Sequence, residues 1–337
     1  MLTVDDLSPG QSLPAPIEVE VTAVNWNPRR SRRAEIKLID AEENQLHLID
    51  FEAAELSVDW KTNHRYRISR CGVQKSGQGF DIDLAPSKKT QIEPLGPANA
   101  TTRLLVIGDT HVGRTEHPRT DEGIAPRHAF STAIDHAISQ DVDAVIHTGD
   151  IFHESATETH ADFVDTYVFA QLANANIPFY YLTGNHSSQA GNEILKRRTG
   201  TLATKLDSGG VPINSQVRVF GIDHHDNGDI PQNEVAFPAD HSEPFSILVI
   251  HQTIEQLSGP SPRTVDLEWL HGQFREEFDY IIAGHHHDAS QTTWRNTPVM
   301  YTGAAEHMST NTDPDDRVAW LLTIDNNAIT CDRYDIP

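Results

Sequence analysis

The chain has 337 residues, with 49 acidic and 26 basic side chains and a formal net charge of −23 at pH 7. At about 100–200 residues per domain, this length predicts two domains that can each bury a core. Apolar runs such as 104–107 fall far short of the ~18 residues of a membrane span, and the N-terminus has no signal-peptide pattern. Two distant cysteines exclude a disulfide framework and a cysteine zinc site, so we expect a cytoplasmic protein.

The charged residues are unequal in type and are unevenly distributed along the chain. There are 29 Asp and 20 Glu but only 19 Arg and 7 Lys, a balance that favours a halophilic protein over an ordinary acidic one. At very high salt the Debye length falls to ~3 Å, so self-repulsion is screened while hydrated carboxylates maintain solubility. Residues 1–97 have a net charge of −3 and residues 98–337 one of −20, so the two parts face different electrostatic demands.

Residues 1–97 alternate between apolar and polar side chains with a period of two, which is typical of strands. The predicted strands are 17–26, 33–39, 45–51, 66–73 and 80–84. Short turns at 27–32 and 75–79 separate some of them, and five such strands predict a small all-β barrel. Their order and loops resemble the OB-fold domains of replication protein A and its archaeal relatives.

A stretch rich in Pro and Gly, 94–102, predicts the boundary between a domain at 1–97 and one at 98–337. Beyond it, strands and helices alternate, which predicts a layered α/β domain. Predicted strands are 104–108, 144–149, 179–184, 246–251, 280–284, 299–301, 317–324 and 328–334, and predicted helices are 128–139 and 162–173.

Side chains that can bind metals follow five of these strands. They are Asp109-Thr110-His111, Gly149-Asp150-Ile151-Phe152-His153, Gly184-Asn185-His186, His251, and Gly284-His285-His286-His287. Gly precedes four of the five groups, which permits sharp turns into one crevice at the carboxyl ends of the strands. Carboxylate, imidazole and amide oxygen together suit Mn²⁺, Fe²⁺ or Zn²⁺ better than Mg²⁺ or Ca²⁺. Five such groups in this order are improbable by chance, even with 19 histidines.

With this pattern, DxH…GDxxH…GNH…H…GHxH, residues 103–325 resemble the calcineurin-like metallophosphoesterases. Segments 108–113, 149–153, 251–252 and 298–304 are similar to the SbcD-type double-strand-break repair nucleases within them. One departure is Ser187, where the nucleases usually have Asp after GNH. The resemblance implies a four-layer α/β/β/α domain after the barrel.

The resemblance also implies a two-metal site, with Mn²⁺ the leading candidate and Fe²⁺ or Zn²⁺ as alternatives. One ion would be held by Asp109, His111, Asp150 and His287. Asp150 would bridge to a second ion, held also by Asn185, His251 and His285. Two ions ~3.5–4 Å apart can polarise phosphoryl oxygens and lower the pKa of a bridging water.

The catalytic roles follow from the same resemblance. Hydroxide between the metals would attack phosphorus, His186 would protonate the leaving oxygen as general acid, and His153 would orient the phosphate. We expect His286, between two ligands, to point away from the metals. The pair His224-His225 lies in a polar stretch, which favours a solvated turn over a direct function.

The densest basic cluster lies in the first barrel loop and just after it, where OB folds contact oligonucleotides. It comprises Arg29, Arg30, Arg32 and Arg33, with Trp26 beside it. Trp26 and other aromatic residues of the barrel, including Trp60, could stack on bases or fill the core. The arginines could contact DNA or form a solvated turn, and we favour DNA contact.

Together these features predict a metal-dependent phosphodiesterase that cleaves DNA, with single strands or DNA ends favoured. Single-strand-binding proteins of the replication protein A type are candidate partners. A capping and docking region typical of SbcD-type nucleases is not apparent after residue 325, which argues against their ATPase partner. The alternatives are hydrolysis of RNA, cyclic nucleotides or small phosphodiesters, or a non-catalytic DNA-binding adaptor with a structural metal site.

Overall fold

The structure is a computed structural model that forms two compact units, Met1–Ala100 and Thr101–Pro337. It describes residues 2–25, 32–51, 54, 56, 58, 60–62, 64–76, 82–97, 101–114, 126–214, 216–238, 243–261, 263–273, 278–305, 317–325 and 328–336. Within those ranges, no helix has the length and apolar character needed to cross a membrane.

In its described residues, the first unit consists mainly of β-strands, with a short 3₁₀ turn at Val4–Asp6. Its strands are β1 Ile17–Asn25, β2 Arg32–Ile39, β3 Gln45–Phe51, β4 His64–Ser69, β5 Gly72–Lys75, β6 Ile82–Ala85 and β7 Gln91–Pro97. Alternate residues of β1 are buried, as the period-two pattern requires, and they pack around a core that includes Trp60 and Tyr66.

The strand pairing is that of an OB-fold barrel. β1, β2 and β3 form an antiparallel meander, β1 also pairs with β4, and β3 pairs in parallel with β6. β6 in turn pairs with β5, which follows β4 after only Arg70 and Cys71. β4 and β5 therefore act as one bent strand that closes the sheet on itself. The predicted barrel is confirmed, although its fourth strand is interrupted where Arg70 adopts a φ of 53°.

The stretch predicted as a linker is partly a strand. β7 covers Gln91–Pro97 and pairs antiparallel with β4 at the edge of the sheet. Pro94 misled the prediction because proline usually interrupts a strand. At an edge, however, a residue without an N–H group removes no necessary ladder bond.

The second unit contains two six-stranded sheets. Its strands are β8 Thr102–Ile107, β9 Ala144–His147, β10 Phe179–Tyr181, β11 Ala203–Lys205, β12 Val211–Pro212, β13 Val217–Ile222, β14 Phe245–His251, β15 Tyr280–Gly284, β16 Ser290–Trp294, β17 Thr297–Tyr301, β18 Val318–Ile324 and β19 Ile329–Asp335. The strand orders are β11-β10-β9-β8-β18-β19 and β12-β13-β14-β15-β17-β16.

Helices cover the outer faces of both sheets. They are α1 Pro126–Ser139, α2 Glu158–Phe163, α3 Ala170–Asn174, α4 Gln189–Arg198, α5 Glu255–Ser258 and α6 Leu267–His271. A π-helical turn, Val164–Phe169, joins α2 to α3, so the predicted helix 162–173 lies inside one longer helical segment.

Side-chain alternation along the strands produces the layers. In β8, Leu104 and Val106 pack between the two sheets, whereas Leu105 and Ile107 pack against α1 and its neighbours. A further core lies between the second sheet and the α5–α6 side, with Leu267 and Leu270 buried in it. These cores confirm the four-layer α/β/β/α arrangement.

The parallel strands of both sheets determine where the site forms. β8, β9 and β10 run parallel in one sheet, and β13, β14, β15 and β17 run parallel in the other. The loops that follow these strands contact one another across the two sheets, as described below. The carboxyl ends of both sheets therefore share one edge.

Candidate metal centre

The predicted ligands come together at this edge of the second unit. Asp109 and His111 follow β8, Asp150 follows β9, Asn185 follows β10, and His251 ends β14. His285 and His287 follow β15.

The backbone at these ligands is unusual. Asp109, His111, Asp150 and His285 have φ values of 49°, 41°, 54° and 82°, in the left-handed region that non-glycine residues rarely occupy. Such strain persists only where the surroundings enforce it and is concentrated at functional sites. The turns thus aim four side chains that ordinary strand ends would not aim together.

Two glycines allow the loops to approach closely. A Cβ atom on Gly184 would lie 2.0 Å from Asp150 Oδ1, and one on Gly149 would lie 2.1 Å from His251 Nδ1. Any larger residue would separate the loops, so these glycines are needed for the cluster to form.

The first ligand group consists of Asp109, His111, His287 and Asp150. His111 Nε2 lies 3.8 Å from Asp109 Oδ1 and 3.6 Å from Asp150 Oδ2. His287 Nε2 lies 3.7 Å from Asp109 Oδ1. Spacings of 3–4 Å are those of ligands that surround one ion at ~2.1 Å.

The second group consists of Asn185, His251, His285 and again Asp150. His251 Nε2 lies 3.5 Å from Asp150 Oδ2 and 3.3 Å from Asn185 Oδ1. His285 Nδ1 lies 2.8 Å from the same amide oxygen of Asn185. Asp150 Oδ2 therefore faces both groups, which is the position of a bridging carboxylate.

Backbone hydrogen bonds fix the orientation of this bridge. The His186 N–H donates to Asp150 Oδ1 at 2.8 Å, which leaves Oδ2 facing the ligands. The His251 Nδ1 donates to the Thr148 carbonyl at 2.8 Å, so Nε2 is the nitrogen directed at Asp150. The His111 N–H donates to the Asp150 carbonyl at 2.9 Å and ties the first two loops together.

Burial raises the free-energy cost of ionising the carboxyl groups of this cluster. Asp109 is 0% exposed and Asp150 2% exposed. Burial, reinforced by the charge of Asp150, raises the pKa of Asp109 to about 7. Burial also acts to raise the pKa of Asp150, but its hydrogen bond to His251 and the charge of His251 hold that pKa below the usual value. Two neighbouring buried carboxylates need positive charge close by.

Three of the four candidate histidine ligands are suited to supply lone pairs. Burial lowers the pKa of His111 to about 2 and the pKa values of His285 and His287 to about 4. Neutral imidazole is the form that binds a metal. Asp109 Oδ1 and both ring nitrogens of His111 are buried without a hydrogen-bond partner. These partnerless atoms and the mixed N/O donor set fit divalent ions.

The two predicted catalytic histidines lie beside the first group. The ring centroid of His186 is 4.9 Å from that of His111 and 5.7 Å from that of His153. His186 Nδ1 lies 2.8 Å from Glu154 Oε1, and His153 Nε2 lies 3.4 Å from Glu154 Oε2. Glu154 was not identified from the sequence, because no strand-end rule distinguishes it from any other exposed glutamate.

His224 is a second residue near the ligand groups that the sequence did not identify. Its ring centroid lies 5.0 Å from that of His285 and 5.8 Å from that of His251. It follows β13, which pairs in parallel with β14, so the strand-end rule would have found it had β13 been predicted. The sequence favoured a solvated turn over a direct function here, whereas the structure places the His224 ring half-buried and close to His251 and His285. His286, in contrast, stacks on Tyr301 and not on the ligand groups.

The structure describes only some of the residues predicted to contact nucleic acid. Trp26, Arg29 and Arg30 lie outside the described residues. Arg32 and Arg33 begin β2, and only their backbone is described. Trp60, considered as a stacking face, is 2% exposed and packs on Tyr66 in the barrel core.

Comparison with known proteins gives a family match and several relatives. The calcineurin-like phosphoesterase model matches residues 102–289. A "DNA double-strand break repair protein Mre11" of Methanosarcina mazei is 28% identical over 246 residues, which are 70% of this chain and 38% of that protein. The Mre11 of Halobacterium salinarum is 28% identical over 231 residues, covering 68% of this chain and 58% of that protein.

A solution structure of the OB domain of MM0293 from Methanosarcina mazei is 21% identical, with a TM-score of 0.23. It covers 27% of this chain and 78% of that one.

The chain thus spans about half the length of the curated relatives it matches. The family match covers the five motifs up to residue 289 and confirms the resemblance that they carry. The chain belongs to the calcineurin-like phosphoesterase family.

Proposed function

We propose that this protein is a two-metal phosphodiesterase that hydrolyses DNA, on single strands or at DNA ends. The observation that carries the proposal is Asp150 Oδ2, which faces both ligand groups at 3.5–3.6 Å while His186 lies beside the first group. Two bound divalent ions would polarise the phosphoryl oxygens and generate the nucleophile from water.

The residues of this chain would then divide the work. Asp109, His111 and His287 would hold one ion, Asn185, His251 and His285 the other, and Asp150 both. His186 would protonate the leaving oxygen as general acid, and His153 would orient the phosphate. The Glu154 carboxylate accepts from His186 Nδ1, which orients the ring and leaves Nε2 free to act.

The DNA substrate is supported by the relatives and by the barrel. The relatives carry the name of a DNA double-strand break repair protein. OB folds bind single strands through a basic groove and stacked bases, and the basic cluster Arg29–Arg33 lies in the loop where such contacts occur. A single-strand-binding protein of the replication protein A type would be a partner on such strands.

The conditions of action follow from composition and ligand chemistry. The Asp-rich, Lys-poor composition supports work in a cytoplasm of high salt. There, arginine–phosphate contacts lose counterion-release driving force, so stacking and metal–phosphate bonds must supply more of the affinity. The mixed carboxylate, amide and imidazole set favours Mn²⁺.

A second candidate is an adaptor that binds DNA and uses the metals structurally. His186 and Glu154 argue against it, because a structural metal site needs no proton donor beside it. Hydrolysis of cyclic nucleotides or small phosphodiesters would leave the basic barrel loop without a role, because these substrates have no extended phosphate backbone for it to bind.

Loss of Asp150 tests the activity itself. With Mn²⁺ in molar KCl, we expect the wild type to cleave end-labelled DNA and Asp150→Ala to lose roughly 10³-fold or more in rate, since both metal sites lose a ligand. Asp332→Ala, an exposed carboxylate on β19, is the matched control and should cleave normally. DNA binding without turnover by the wild type would establish the adaptor, and turnover of bis-p-nitrophenyl phosphate alone would exclude DNA.

The general acid is tested through the leaving group. We expect His186→Ala to slow DNA cleavage by ~10²–10⁴-fold but to affect bis-p-nitrophenyl phosphate far less, because nitrophenolate leaves without a proton. Glu154→Gln should also slow cleavage of DNA more than turnover of bis-p-nitrophenyl phosphate, but both losses in rate should be smaller than those of His186→Ala. Steady-state rates on both substrates decide the matter, and equal losses on both would mean that His186 does not protonate the leaving oxygen.

The barrel loop is tested in the full chain. Replacing Arg29, Arg30, Arg32 and Arg33 together by Gln should weaken binding of long single-stranded DNA and flatten its salt dependence by up to ~0.7 in log–log slope for each lost phosphate contact. Turnover of bis-p-nitrophenyl phosphate should not change. Fluorescence anisotropy over a KCl series measures this, and an unchanged affinity and slope would show that the arginines form a solvated turn.

A further inference from the structure

A cavity of about 660 Å³ adjoins the metal centre on the side of the second ligand group. His285 belongs to its wall, and so does His224, whose ring centroid lies 5.0 Å from that of His285. The remaining wall comes from the loop after β13, from Gln252 and Thr253, and from residues 258–261, 263 and 264. A cavity of this size accommodates a ligand as large as a nucleotide.

Arg263 gives this cavity its chemical character. It is exposed, lies in the wall, and within the described chain its guanidinium makes no hydrogen bond or ion pair. Three other arginines of the same unit are neutralised by carboxylates: Arg198 pairs with Asp165, Arg218 with Glu243, and Arg295 with Glu268. Arg263 lies in the wall of a cavity that reaches the candidate metal centre at His285, and its guanidinium is suited to bind an anion.

The rest of the wall fits a phosphate with its sugar better than an apolar ligand. Gln252, Thr253 and Thr264 contribute amide and hydroxyl groups, and the aromatic rings in the described wall are those of histidines. One carboxylate, Asp226, is also in the wall, where it lies 3.5 Å from His224 Nε2. Among the described residues, Asp226 forms this contact with His224 and no ion pair with Arg263.

The position of the cavity indicates which part of a substrate it would hold. His153 and His186 flank the first ligand group, whereas the cavity adjoins the second, and Asp150 lies between the groups. A polynucleotide whose scissile phosphodiester lies on the metals extends in two directions. One part leaves beside His186, and the other continues past His285.

We propose that this cavity binds the phosphodiester next to the scissile one, on the strand that continues past His285, and that Arg263 binds its phosphate oxygens. This inference rests on the proposed DNA hydrolysis and deepens it. The site would then require at least two consecutive phosphates for full affinity, which distinguishes a polynucleotide from a cyclic nucleotide or a small phosphodiester.

Two short substrates test this requirement in the full chain with Mn²⁺. The dinucleotide TpT has only the scissile phosphate, whereas TpTpT has a second one. We expect Arg263→Ala to lower kcat/KM for TpTpT about tenfold or more, mainly through KM, and to change TpT less than twofold. Arg263→Lys should recover part of the loss. Arg103→Ala, at the opposite end of β8, is the matched control and should resemble the wild type.

The outcomes separate this inference from the proposed function. If Arg263→Ala weakens both substrates equally, or neither, the cavity does not bind the second phosphate. If the wild type cleaves neither thymidine substrate but turns over bis-p-nitrophenyl phosphate, the proposed DNA activity fails and this inference fails with it. Unchanged turnover of bis-p-nitrophenyl phosphate by Arg263→Ala verifies that the variant is folded and loaded with metal.

Discussion

The burial of Asp150 beside Asp109 is the constraint on which the site depends. Water does not solvate these two carboxyl groups, which are 2% and 0% exposed, and ionising both is costly unless cations are near. Asp150 also joins the loops, since its side chain accepts from the His186 N–H and its carbonyl accepts from the His111 N–H. A proton shared with His251 and a bound divalent ion are alternative sources of the positive charge. The ion is the better one because it also satisfies the partnerless atoms of Asp109 and His111.

The fold supplies what that constraint requires. Two sheets bury a continuous apolar core between them, so their strand ends are held rigidly at one edge. That rigidity maintains left-handed conformations at Asp109, His111, Asp150 and His285, and glycines at 149 and 184 permit the loops to touch. The cavity beside the second ligand group includes Arg263, which in the proposed function would meet an anionic substrate there. In the proposed function, Arg263 would bind the substrate, whereas the metal ligands and His186 would carry out hydrolysis at the same edge of the sheets.

Much of this could be predicted from the sequence, for identifiable reasons. Strand ends followed by Gly and a metal-binding side chain locate the ligands, because parallel strands deliver their carboxyl ends to one edge. The period-two pattern located the barrel strands, although Pro94 in the edge strand β7 disguised one element. His224 was missed because β13 was not recognised as a strand. Glu154 was missed because its contact with His186 joins loops from two different strands and leaves no periodic signal. Long-range contacts of single polar residues are what a local pattern cannot encode.

The stoichiometry and coupling of bound Mn²⁺ test the bridging role of Asp150 most directly. Equilibrium dialysis in molar KCl, combined with electron paramagnetic resonance, counts the ions and reports whether they interact magnetically. Two Mn²⁺ per chain with an exchange-coupled spectrum are expected for the wild type, and Asp150→Ala should lose the coupling and at least one ion. A single ion per chain in the wild type, or two ions whose binding and spectrum are unaffected by Asp150→Ala, would contradict a carboxylate shared between two metals.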